Sequence, residues 1–231
     1  MKTKPHKAMW TAAAVVAAVG LAGVAAYALD LPPFEGRGEI SAERVCSSLG
    51  DPEKSVPALL DVLPSKPSYR FDDNLAGQGS RFFTSNCFVW NDGKVLLSAR
   101  TRMLVADPPD AWAAEAIGEA QAGRAKRFDA GTSGVVDVSD GRAAVLVPCS
   151  APGTYAGGSY SLSVVVDLRH HEESGKPAVE QRLVELAVAA ARSAHSAATC
   201  DLPSKVPVAV PSVLAGPAVP AVSTDSKAVI G

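Results

Sequence analysis

The sequence predicts an α+β protein: an N-terminal transmembrane helix, then an antiparallel sheet built from two hairpin-strand-helix units, with helices on one face and two disulfides as staples. Three observations carry this. Residues 8–29 hold no charged side chain and follow Lys2, Lys4 and Lys7. Two later segments alternate apolar and polar residues with the period of a half-buried strand, and the 4 cysteines all lie beyond the apolar run.

A run of about 20 apolar residues is long enough to span the hydrocarbon core as a helix. Residues 1–7 form a basic leader whose lysines hold that end in the cytoplasm, leaving everything from Asp30 outward on the other side. Ala26-Tyr27-Ala28 fits a signal-peptidase site, so the competing outcome is a protein secreted after cleavage behind Ala28. Retention is preferred because the run exceeds the roughly 7–15 residues of a signal-peptide core. Leu21-Ala22-Gly23-Val24 has the outline of a lipoprotein box, but Val24 stands where the acylated cysteine is required.

Residues 30–38, with Pro32-Pro33 and Gly36-Arg37-Gly38, read as a linker. The folded domain is expected over 39–201, with a topological repeat between 39–125 and 130–201. From 202 to 231 the chain is rich in Pro, Ala and Val, with prolines at 203, 207, 211, 217 and 220 that oppose helix and sheet alike. A disordered tail is expected there.

Within the domain, Ser41 suits a helix N-cap, Ile40 and Val45 suit a hydrophobic staple, and Gly50 suits the stop. A second short helix is expected over 56–63 behind Ser55. Strands follow at 68–72 and 81–90, and Asn91-Asp92-Gly93 is a strong hairpin turn. The returning strand puts Val95, Leu97, Ala99, Thr101 and Met103 on one face and Ser98, Arg100 and Arg102 on the other. After Pro108-Pro109, Asp110 can cap a helix to about residue 122.

The second unit repeats the order. Strands at 135–138 and 142–149 flank Asp140-Gly141, and a glycine-rich loop at 153–158 leads to a strand over 160–168. There Tyr160, Leu162, Val164, Val166 and Leu168 share a face. Pro177 starts the longest helix, with Val179, Leu183, Leu186 and Ala190 as its apolar stripe and His195 on its wetter side. Cys46, Cys87, Cys149 and Cys200 allow three pairings, of which Cys46–Cys87 with Cys149–Cys200 is preferred because it staples each half once. The spacings lack the Cys-x-x-Cys knuckle of a zinc site.

The whole chain has 22 Lys and Arg against 24 Asp and Glu, and without the leader the balance is mildly acidic. No basic patch points to nucleic acid. No Gly-x-Ser-x-Gly elbow, His-Glu-x-x-His helix or phosphate-binding glycine loop occurs. The densest polar cluster is Asp167-Leu168-Arg169-His170-His171-Glu172-Glu173. Adjacent histidines on a strand point to opposite faces, so this cluster reads as a solvated turn more readily than as a site. Arg100 and Arg102, on the outward face of their strand, could meet an acidic ligand.

Val45-Cys46-Ser47-Ser48-Leu49 and Cys87-Phe88-Val89-Trp90, between a basic leader with an Ala/Val-rich span and a Pro/Ala/Val tail, resemble uncharacterised membrane-anchored or secreted envelope proteins of high-GC actinobacteria. The chain departs from the lipoproteins of that group in lacking the lipid-bearing cysteine. The resemblance implies location and class, and it transfers no active site.

The expected function is accordingly a non-catalytic extracytoplasmic interaction or binding module, anchored in the cell membrane through residues 8–29. It needs no cofactor or metal, and its partner is an envelope protein or ligand. The competing expectation is an envelope hydrolase with His170, His171 and Glu172 at its centre.

Overall fold

The computed structural model describes residues 36–105, 108–130, 133–150, 160–169, 177–211 and 213. The expected membrane segment 8–29, the glycine-rich loop, the His170-His171-Glu172 cluster and most of the tail lie outside the described residues. Among the described residues, no helix is long and apolar enough to cross a membrane. The chain forms two compact units. In the smaller, residues 36–39 meet 65–68, and the Gly38 N–H donates to the Lys66 carbonyl at 2.8 Å. The larger comprises Ile40–Pro64 and everything from Tyr69 on.

The larger unit opens with a turn and a 3-10 helix at Ser47–Leu49, where a longer capped helix is expected from Ser41. The second helix, expected over 56–63, starts earlier, as α1 (Pro52–Val62). Asp51 caps it by accepting from the Glu53 N–H at 3.2 Å, and Pro52 occupies the first turn, where its missing N–H costs nothing. Gly50 does take a left-handed conformation, with φ of 84°. Three strands follow: β1 (Arg70–Ala76), β2 (Thr84–Asn91) and β3 (Lys94–Val105). The β2–β3 turn is Asp92-Gly93, with φ of 47° and 72°, as a two-residue hairpin turn requires.

Next come α2 (Pro109–Ile117) and the single turn α3 (Glu119–Ala122), separated by Gly118. Gly118 has φ of 104°, which breaks the one helix expected to residue 122. The strands β4 (Lys126–Phe128), β5 (Ser133–Asp137), β6 (Arg142–Pro148) and β7 (Tyr160–Leu168) lead to α4 (Pro177–Ala197). All seven strands form one antiparallel sheet in the order β1-β2-β3-β7-β6-β5-β4.

The helices occupy both faces of this sheet, which corrects the one-faced packing expected from the sequence. Along β6, Ala143, Val145 and Val147 join the large core under α4, whereas Ala144 and Leu146 join a second core under α2 with Trp112, Ala114 and Ile117. The physical reason lies in β6 itself. Its run from Ala143 to Val147 is apolar on both sides and needs cover on both. A rotation relating the β1–β3 meander to the β5–β7 meander across the antiparallel β3–β7 pair would keep both following helices on one face. The strands repeat their order, but the helices do not obey that rotation.

On the α4 face, β2 contributes Cys87 and Val89, β3 Leu97 and Ala99, and β7 Leu162, Val164, Val166 and Leu168, all buried. Asp73 of β1 fastens the 3-10 turn to this face, accepting from the Ser47 N–H at 2.7 Å and the Ser48 hydroxyl at 2.6 Å. The disulfides are Cys46–Cys87 and Cys149–Cys200, with Cα atoms 5.9 and 5.0 Å apart, the pairing preferred from sequence. Each ties a strand, or its end, to a piece of the α4-side layer. Such bridges persist in oxidising compartments, and they suggest an extracytoplasmic or secreted location.

Residues 202–211 run back along α4, with Val206 buried. Arg192 donates to the Pro207 and Val208 carbonyls, and Gln181 donates to that of Pro211 at 3.3 Å.

Candidate functional site

The opposite face of the sheet is only partly covered. α2 lies over β5 and β6, where Trp112, Ala113, Ala114 and Ile117 bury against Val135, Ala144 and Leu146. Trp112 is 1% exposed, and its indole N–H donates to the buried Ser163 hydroxyl of β7 at 2.9 Å. Arg142 closes the far end of α2. It donates to the Ile117 carbonyl at 2.8 Å, one of the helix's orphan acceptors, and to Asp167 at 3.1 Å. Asp167, almost fully buried, also receives Arg169 at 3.2 Å. At the near side, Arg102 of β3 pairs with Glu115 of α2.

Beyond α2, over β1, β2 and β3, no described helix covers this face. The step from covered to bare sheet leaves a groove of about 490 Å³. Its floor is built from Thr84, Asn86, Arg100 and Val165, and its wall from Trp112 and Ala116. Cross-strand register aligns the floor: Asn86 stands opposite Arg100, which stands opposite Val165, and Thr84 stands opposite Arg102. Farther along β2, Phe88 and Trp90 continue the surface with ring centroids 6.0 Å apart, and the Arg70 guanidinium lies 5.4 Å over the Trp90 ring.

The outward Arg100 and Arg102 expected from the alternation of β3 are therefore where the sequence places them. The recess beside them was not legible, because it depends on α2 crossing a strand distant in sequence. His170, His171 and Glu172 lie outside the described residues. Among the described residues, no group of three or more His, Cys, Asp or Glu side chains is placed to hold a metal ion.

His195, expected on the wetter side of α4, is buried at 8% exposure. Burial lowers its pKa below the ordinary value, and a hydrogen bond with the Leu202 backbone opposes that shift. A second recess, of about 450 Å³, lies between the 3-10 turn, α1 and α4. Its cations are already engaged: Lys54 pairs with Asp51 at 3.3 Å, and Arg192 holds the Pro207 and Val208 carbonyls.

No protein family, curated protein or solved structure matches the chain.

Proposed function

We propose that the chain is a membrane-anchored, extracytoplasmic binding module of the cell envelope, non-catalytic, with its ligand seat in the groove between α2 and strands β2, β3 and β7. Residues 8–29 anchor it with the N-terminus in the cytoplasm, and the stapled domain faces outward. The groove carries this reading. It is a recess of ligand-binding size, with polar donors converging on its floor and apolar side chains on its wall. The two disulfides support the compartment.

The test is in-cell crosslinking of the full-length protein, with a photoreactive residue at Ala116 in the groove wall or at Glu53 on α1, on the far side of the sheet. The expected result is a reproducible adduct with an envelope component from Ala116 and none from Glu53. Equal adducts from both positions, or none from either, overturn the groove as the seat. A mature N-terminus at Leu29 overturns the anchor.

A further inference from the structure

We propose that the groove takes the carboxylate of a small amphipathic ligand, with Arg100 as its anion anchor. This deepens the reading of the groove as the ligand seat and rests on it. The other cations of this face are already matched. Arg102 pairs with Glu115, Arg142 and Arg169 share Asp167 while Arg142 also reaches Asp140 at 3.6 Å, and Arg127 pairs with Asp110. Arg100 makes no ion pair or hydrogen bond with any described residue, and the side chains of Asn86 and Thr84 likewise have no partner among them.

These three groups are neighbours by register. Directly opposed residues on antiparallel strands have Cβ atoms roughly 4.5–5.5 Å apart, so Asn86 shares its patch with Arg100, and Thr84 stands one pair farther along the same face. A guanidinium fork, an amide and a hydroxyl thus offer donors around one point. A carboxylate fits the fork with two parallel hydrogen bonds.

The charge of the groove limits the ligand further. With Arg102 neutralised by Glu115, one positive charge remains unopposed, which matches a single anionic group. Val165 and Ala116 supply an apolar part of the lining, beside the polar Thr101 and Ser163, and it suits a short hydrocarbon portion. Two sources offer this chemistry: a free organic acid, and the C-terminal carboxylate of a peptide.

The experiment is saturation-transfer NMR on the oxidised full-length protein with hexanoate, hexanol, and the tripeptide Ala-Ala-Leu as free acid or amide. Arg100→Gln and Arg100→Lys proteins are compared with the unaltered one. Hexanoate or the peptide acid binds the unaltered protein, and hexanol and the peptide amide bind at least about tenfold more weakly. Arg100→Gln weakens the acids by about tenfold, and Arg100→Lys retains part of the affinity because it keeps the charge without the fork. Tighter binding of the peptide acid than of hexanoate assigns the peptide source, and the reverse order assigns the free acid.

Equal binding of the acids by the unaltered and Arg100→Gln proteins overturns the proposal, as does failure of both acids to bind. Crosslinks from Ala116 that are undiminished in Arg100→Gln overturn the anion anchor but leave the binding module standing.

Discussion

The two faces of the sheet solve the same burial problem differently. The α4 face is closed. A helix of 21 residues lies across it, α1 and the 3-10 turn fill the side, and both disulfides fasten that layer to the strands. The α2 face is closed over β5 and β6 and bare over β1 to β3, and no cysteine bridge reaches it. The same strands serve both faces. β3 sends Leu97 and Ala99 into a dry core and Arg100 and Arg102 into water. The difference shows that one sheet carries a closed, stapled face and a partly bare one, with β3 contributing to both.

The comparison can be broken most severely at its covered edge. Replacing Trp112 by Ala should cost about 3–5 kcal/mol, since it empties the second core and leaves the Ser163 hydroxyl without its partner. Denaturant unfolding measures this. A loss below about 1 kcal/mol would mean that the α2 layer contributes little to the fold. Leu97→Ala, on the closed face, should cost about 2–5 kcal/mol by the same measurement.

A smaller effect is expected from pH. Because burial lowers the pKa of His195, the unfolded chain binds the proton more readily than the folded one. Stability should therefore hold above the ordinary histidine pKa near 6.5 and fall as pH drops below it, by at most about 1.4 kcal/mol per pH unit. His195→Gln should flatten that slope in denaturant midpoints compared between about pH 7.5 and pH 5. An unchanged slope would assign the dependence to other groups. The smallest change in stability belongs to Arg100→Ala. It should stay within about 0.5 kcal/mol, because the side chain is exposed and makes no ion pair with a described residue. Set beside Leu97→Ala on the same strand, it sharpens the division between the faces.

Much of the fold was legible from local chemistry. Asn91-Asp92-Gly93 marks the β2–β3 hairpin because those residues tolerate positive φ. The alternation from Tyr160 to Leu168 matches β7 end to end. The cysteine pairing followed from giving each half one staple. What failed depends on distant context. β4 is three residues long, too short for a period to register. The second helix is expected behind Ser55, but Asp51 followed by Pro52 captures its start.

The side on which α2 packs is not encoded in its own periodicity. A signal was nevertheless present in β6, whose Ala-Ala-Val-Leu-Val run lacks the alternation of a one-faced strand. Read that way, it demands a helix on each side. For the site, the outward direction of Arg100 was readable from β3, whereas its solitude and the recess around it depend on pairings with residues far along the chain.

The disulfides also determine how the domain would respond to mechanical tension. With Cys46 joined to Cys87 and Cys149 joined to Cys200, a pull applied across the domain bypasses residues 47–86 and 150–199. Those loops contain α1, β1, β7 and α4, which cannot be drawn out while the bridges hold. Covalent extension is confined to residues 88–148, the stretch that carries β3, Arg100 and α2. Force would therefore dismantle the groove while leaving the stapled loops unextended, so a ligand held there would be released before the chain was fully drawn out.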